Sequence, residues 1–264
     1  MAIDMSESYM RSLRFPNLAH LHIVILFRRF IKGFRRLAVY FERPSARSVP
    51  SVYRIFSQDI ANMHEMYASK KYAYTESFFD DEFYKRLCAE WPARKYFEPP
   101  KEIIKSYDVG LLWLRGNDDP EYLRYFPYLQ QLYSYLRSDA FGDTVTKLVG
   151  SKEPLRCRTV LLNRTYPGSL VIAHKDSPLP KEAGMYVNII MFIRGTAGEG
   201  GGALVLSKDN EYREIIFDPP TLNNSVLVYD TDAPFYHGFK PVQSGKERWV
   251  ITSSFCGVNY KKTS

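Results

Sequence analysis

The sequence predicts an α+β chain in which helices come first, an antiparallel β body follows, and a basic amphipathic arm precedes both. Three observations carry that prediction. Residues 53–150 show apolar residues at helical spacing with short connections. Beyond Gly150 the texture changes to short runs rich in Val, Ile, Leu and aromatics, each bounded by Gly, Pro, Asn or Asp, which is a strand-after-strand pattern. Nearly all of the net charge of +7 sits before residue 49, where nine Arg or Lys face Asp4, Glu7 and Glu42. With 264 residues, one domain plus an extension is the expected organisation.

The arm and its linker occupy residues 1–50. In "LFRRFIKGFRRLAVYFE", Leu26 to Glu42, a helical projection puts Phe27, Phe30, Ile31, Phe34, Leu37, Ala38 and Phe41 on one stripe. Arg28, Arg29, Lys32, Arg35 and Arg36 fall on the other. Two arrangements fit this pattern: a helix lying in a membrane interface, or a helix burying its aromatic stripe on the body with its arginines in water. The preceding "LHIVIL" is far short of the roughly 20 residues that span a bilayer. A cleavable signal peptide fits poorly, because the arginines follow the apolar run and no small-residue cleavage site appears. "RPSARSVP" reads as the linker to the body. Nucleic acid is not favoured as a partner, since no binding motif accompanies the charge.

The domain proper is expected over 51–264, with its helical part at 51–150 and its β core at 151–260. "DDEFYKRLCAEWP" places Phe83, Leu87 and Trp91 on one helical face, with Asp80 or Asp81 as cap and Pro92 as stop. "PEYLRYFPYLQQLYSYLRSDAFGDTVTKLVG" gives two further helices, with Pro127 in a first turn and Gly150 at an end. "SYDVGLLWLRG" reads as an edge strand. The strands that follow are "RTVLLNRTYPG", "GMYVNIIMFIRG", "GGALVL", "YREIIFD", "NSVLVYD" and "RWVITSSF". Cys88, Cys157 and Cys256 are widely spaced and include no CxxC pair, which argues against a disulfide framework or zinc knuckle and for a reducing, cytoplasmic compartment.

Chemistry concentrates in "IAHKDSPLP". On an extended segment His174 and Asp176 project to the same face. His237, in "DAPFYHGFKPV", lies 61 residues past Asp176 and just after a strand. Two imidazoles and one carboxylate leave one face of an octahedron open, the facial triad of non-haem Fe(II) oxygenases. A structural zinc site would want a fourth Cys or His, and the motif offers none. Arg248, eleven residues after His237, stands on the next strand, where a guanidinium can fork onto a carboxylate.

With these residues in order, positions 158–256 resemble the Fe(II)/2-oxoglutarate-dependent dioxygenases, nearest in pattern to the prolyl-4-hydroxylase-like branch. The matching features are "LNRTYPGSLVIAHKDSP", "YVNIIMFIRG", "EGGGALVL", the approach to His237, and "GKERWVIT". The resemblance implies a double-stranded β-helix, or jelly-roll, core. It implies Fe(II) held by His174, Asp176 and His237, and 2-oxoglutarate and O₂ as co-substrates, giving succinate, CO₂ and a hydroxylated C–H bond. Arg248 would take the distal carboxylate of 2-oxoglutarate, with Tyr166 pointing toward the co-substrate and Thr252 inward by alternation from Arg248. Where some relatives carry a second tyrosine this chain has Phe192, and Asn188, Arg164 and Thr252 are the candidates to replace that hydroxyl.

If the strands alternate regularly, Arg164 and Arg194 share the inward face with Tyr166 and Asn188, while Lys175 and Lys240 flank the ligands. Such a basic mouth suits an anionic substrate. Joined to the arm, it leads to an expected small-molecule or glycan substrate that is anionic and lipid-linked, at the inner face of the cytoplasmic membrane. A 3-deoxy-octulosonic acid hydroxylase-like activity fits that description. Peptidyl (prolyl-type) hydroxylation and a non-catalytic metal-binding β-sandwich are the alternatives.

Overall fold

The computed structural model describes residues 54–97, 110–114, 123, 125–165, 167–176, 186–198 and 201–257. These residues belong to the second of the two units into which the chain divides, Ala46–Ser264. The arm with its expected helix, and Tyr166, lie outside the described residues.

Four α-helices lie among the described residues: α1 His64–Lys70, α2 Asp81–Ala89, α3 Pro127–Leu136 and α4 Asp139–Val149. Their ends are chemically marked. The Asp80 carboxylate accepts from the amides of Glu82 and Phe83 at 3.0 and 3.3 Å, satisfying two of the donors that a helix start leaves open. Pro127 occupies the first turn of α3, where its missing N–H costs nothing. Ser138 caps α4 through the Phe141 amide, and Gly150 ends it in the left-handed conformation at φ 66°. Trp91 lies past the end of α2 rather than on it.

The helical half is not wholly helical. Tyr72–Glu76 forms a strand, β1, and Gly110–Leu114 another, β2. The remaining strands are β3 Leu155–Thr165, β4 Val171–His174, β5 Tyr186–Arg194, β6 Val205–Ser207, β7 Ile215–Phe217, β8 Ser225–Asp230, β9 Tyr236–Phe239 and β10 Arg248–Gly257. They form a six-stranded sheet in the order β1-β8-β5-β10-β3-β2 and a four-stranded sheet in the order β4-β9-β6-β7, antiparallel throughout. This is the expected jelly roll, and β2 is an edge strand as read from the sequence. Cys88, Cys157 and Cys256 are free thiols, so no disulfide braces it.

The large sheet is buried on both faces. Ile189, Met191, Val226, Val228, Ile251 and Phe255 pack on the helix side with Phe83, Leu87, Leu129 and Phe141. Ile190, Phe192, Leu227, Tyr229 and Val250 face the other way, into a second core with Val171, Val205 and Phe239 of the small sheet. Double coverage is why these strands read as continuous apolar runs instead of alternating ones.

Gly238 decides how closely β4 and β9 approach. A Cβ there would overlap the Tyr212 hydroxyl and the Val171 carbonyl and stand 3.1 Å from the Ala173 Cα. Two of those three contacts are on the backbone of β4, which cannot swing aside. Gly238→Ala is therefore expected to destabilise the protein by about 1–3 kcal/mol, the usual cost of overpacking, seen as a lower urea midpoint. An unchanged midpoint would show that the two strands have slack.

Candidate metal centre and carboxylate site

Three side chains meet where the small sheet begins. β4 and β9 pair so that His174 stands directly opposite His237, with ring centroids 4.4 Å apart. Asp176 follows β4 by two residues, and its Oδ1 lies 4.0 Å from His174 Nε2 and 3.6 Å from His237 Nε2. One ligand atom from each residue lies within 4.8 Å of the other two. Donors bound to one ion at about 2.1 Å sit roughly 3 to 4 Å apart, so the spacing suits a single cation.

Protonation favours the same use. His174 Nδ1 lies 2.9 Å from the Ile172 carbonyl, an acceptor only, so Nδ1–H donates to it and Nε2 is the nitrogen turned toward Asp176. His237 is buried, and burial together with the facing His174 ring pushes its pKa down from 6.5 to about 3. It stays neutral, as a metal ligand must. Burial raises the Asp176 pKa, His174 opposes that shift, and nearby Asp232 adds to it. A dication beside Asp176 would favour the ionised form.

The His237 shift makes stability depend on pH. Its folded pKa lies below its unfolded one, so its contribution is complete above pH 6.5 and declines as pH falls toward 3. With chelator present, the protein is expected to lose up to about 1.4 kcal/mol per pH unit below 6.5 through this group. Urea midpoints at pH 7.5 and 5.5 measure it, with His237→Asn as the comparison; equal slopes in both proteins would remove His237 as the cause.

Arg248 opens β10 and is only 4% exposed. Its guanidinium lies over the Phe239 ring at 4.5 Å and the Phe192 ring at 5.7 Å. Nε has no hydrogen-bond partner, and among the described residues no carboxylate comes within ion-pair distance. Burial lowers its pKa from 12.5 to about 9. Gly202, at φ 81°, leaves room for the alkyl stem, since a Cβ there would meet Arg248 Cδ at 3.1 Å. A buried, unpaired guanidinium in an aromatic cage calls for an anion, and a planar carboxylate matches its fork.

The other residues singled out in the sequence divide into two groups. Thr252 shares the inner face of β10 with Arg248, and its Oγ1 accepts from Asn163 at 3.2 Å. Asn188 also faces inward, but its Nδ2 donates to Asp176 Oδ2 at 3.2 Å, which ties it to the carboxylate ligand rather than to Arg248. Phe192 does stand against Arg248, without a hydroxyl. Ser254 is the residue that sequence reasoning missed, although counting 248, 250, 252, 254 along β10 reaches it.

Arg164 and Arg194 do not line this site. Both guanidiniums flank Trp249 on the opposite face of the large sheet, at 5.5 and 5.0 Å from its ring. Arg164 is further held by Glu247 at 3.0 Å and the Pro92 carbonyl at 3.2 Å. The phase of β3 and a bulge in β5 turn the two arginines outward. Asn163, not Arg164, lies opposite inward-facing Val250. On β5 the register slips between Trp249 and Val250, so Phe192 pairs with Val250 but Arg194 with Trp249, and Ile193 is the bulged residue that turns Arg194 over. Lys175 is exposed and lies over the Tyr236 ring at 4.7 Å, while Lys240 is exposed near Asp218.

No family model and no curated protein matches this sequence. Solved structures do match. The chain is similar to a prolyl-4-hydroxylase from Pseudomonas putida, at 16% identity and a TM-score of 0.55 over 76% of this chain and 100% of that one. It is similar to a prolyl 4-hydroxylase structure from Phytophthora capsici, at 18% identity and a TM-score of 0.59 over 82% and 70%. It is also similar to HygX from Streptomyces hygroscopicus, solved with nickel, 2-oxoglutarate and hygromycin B bound, at 10% identity and a TM-score of 0.54 over 75% and 87%. The fold is that of the 2-oxoglutarate/Fe(II) oxygenases, in its prolyl-4-hydroxylase-like form.

Proposed function

We propose that this chain is an Fe(II)- and 2-oxoglutarate-dependent dioxygenase that hydroxylates a C–H bond. The observation that carries the reading is the pairing of two sites in one fold. A two-histidine, one-carboxylate cluster able to hold one ion lies in the same inter-sheet core as a buried guanidinium to which no described residue brings a carboxylate. His174, Asp176 and His237 would hold Fe(II), which when bound supplies the redox chemistry by which O₂ oxidises 2-oxoglutarate to succinate and CO₂ and hydroxylates the substrate. Arg248 holds the distal carboxylate of 2-oxoglutarate and orients it. Phe192, Phe239 and the surrounding apolar core keep water away from that ion pair, which strengthens it.

The substrate reading shifts with the geometry. The anionic, lipid-linked glycan was favoured by Arg164 and Arg194, and both are occupied around Trp249 away from the cluster. Near the cluster, Asp232 is close enough to act on Asp176, and Lys175 is turned to the rim. That balance of charge supports no anion selectivity. A neutral small-molecule or peptide C–H donor is the reading we favour, as in the peptidyl alternative. The membrane part of the proposal rests on the arm's sequence, and no helix of the described residues is long and apolar enough to cross a bilayer. Deleting residues 1–48 tests it directly: unchanged partitioning onto anionic vesicles would remove the arm as an anchor.

The deciding assay is Fe(II)-dependent succinate formation from 2-oxoglutarate and O₂, run with a panel of proline-containing peptides, neutral sugars and 3-deoxy-octulosonic acid glycans. Turnover in wild type that His174→Ala lacks supports the enzyme reading. Equal, metal-independent signals from both proteins would instead leave a metal-binding sandwich without catalysis.

A further inference from the structure

Asp176 presents two oxygens, and the structure gives them different neighbours. Oδ1 faces both histidine Nε2 atoms, at 3.6 and 4.0 Å. Oδ2 accepts from Asn188 Nδ2 at 3.2 Å. The same Nδ2 donates to the Tyr229 hydroxyl at 3.0 Å, and Asn188 Oδ1 accepts from the Ser254 hydroxyl at 2.7 Å. The amide has two N–H donors and one carbonyl oxygen, so all three groups are engaged. Its orientation is fixed chemically: turned over, its oxygen would confront the Asp176 carboxylate.

These groups sit on three neighbouring strands of the large sheet. Asn188 of β5 lies opposite Tyr229 of β8 on one side and opposite Ser254 of β10 on the other. Asn188, Tyr229 and Ser254 are 8%, 3% and 6% exposed, so water does not compete for their bonds. Tyr229 also places its ring 5.0 Å from that of His237, so this row of side chains backs two of the three cluster residues. A sheet buried on both faces is a rigid mount for such a row.

We infer that Asn188, oriented by Ser254 and Tyr229, is a positioning residue that holds the Asp176 carboxylate with one oxygen toward the metal and the other away from it. This rests on the metal-centre reading above. Its consequence is stoichiometric. A carboxylate held through one oxygen would take one position on a six-coordinate ion and, with the two imidazoles, would leave the other three open. A carboxylate free to swing onto the ion through both oxygens would fill one of those three.

The test uses Co(II) as probe with the full-length protein, read by its visible absorption. Asn188→Leu is expected to weaken Co(II) binding by about 10–100-fold, the usual effect of losing an outer partner of a ligand, and to change the shape of the absorption band as coordination changes. Ser254→Ala, which keeps the strand's packing, is expected to weaken binding several-fold in wild type and to add nothing in the Asn188→Leu background, because the two act as one unit. Should Asn188→Leu not fold, Ser254→Ala and Tyr229→Phe carry the test through the same band shape. Variants that bind Co(II) like wild type, with an unchanged spectrum, overturn the inference even if their melting temperatures fall. Wild type failing to bind Co(II) at all would instead overturn the metal-centre reading, so the two failures are distinguishable.

Discussion

Asp176→Ala is expected to leave a folded protein that forms no succinate and binds Co(II) more weakly than any outer-sphere variant. Asp176 is the single anion in the cluster, and its Oδ1 stands between the two imidazoles. Two histidines on paired strands retain a weak chelate without a carboxylate, and a hard dication loses its oxygen ligand. The loss should exceed the roughly 10–100-fold that follows removal of an outer partner. Folding should survive because the side chain is about a third exposed, just past the end of β4, and the Asn188 amide that donates to it keeps Tyr229 and Ser254 as partners. Circular dichroism and a Co(II) titration settle both halves; full succinate formation by the variant would rule Asp176 out of the reaction.

Arg248→Met is expected to move stability and ligand affinity in opposite directions. In the free protein the guanidinium is buried, lacks a partner at Nε, and has its pKa pressed down to about 9 by desolvation. Replacing an unpaired buried charge with an apolar side chain of similar length removes a desolvation cost; even buried ion pairs replaced in this way often leave a protein as stable or about 1–4 kcal/mol more stable. Phe192, Phe239 and Val250 already supply an apolar setting for the thioether. The same change removes the fork for the distal carboxylate of 2-oxoglutarate. Affinity should then fall on the order of 10²–10³-fold, as when one partner of a buried hydrogen-bonded pair is truncated. Urea unfolding and a 2-oxoglutarate titration at saturating Co(II) read the two effects separately. A destabilised variant would contradict the unpaired-charge account, and an unchanged 2-oxoglutarate affinity would remove Arg248 from the co-substrate site. The arrangement is a local trade of stability for binding, carried by one residue.

How much of this was visible in the chain follows from which interactions are local. The α2 cap at Asp80, Pro127 in the first turn of α3 and Gly150 after α4 are determined within a few residues, and all three were legible. The cluster was legible because a His-x-Asp on an extended segment fixes two ligands at once, and the order of the later motifs supplied the third. β1 was not, because Tyr72–Glu76 has little alternation of its own and becomes a strand by pairing with Ser225–Asp230, some 150 residues away. The misplacement of Arg194 has an equally physical cause. One bulged residue, Ile193, reverses every face assignment beyond it, and no propensity announces a bulge. Arg164 was placed by counting from Tyr166, whereas Asn163 is the inward residue opposite Val250. Asn188 was rightly read as inward-facing, but its partner is set by the meeting of β4 with the large sheet, a tertiary fact.

The face to which that bulge turns Arg194 is built around Trp249. Trp249 is the chain neighbour of Arg248 but points to the helix side, where its indole stacks on that of Trp91 at 5.6 Å and 5° between planes, with a guanidinium on either flank. The chain has only three tryptophans, so two of the three report from this stack. Arg248 and Trp249 are adjacent on β10, so the indole pair stands one peptide bond from the buried guanidinium, on the other face of the same sheet.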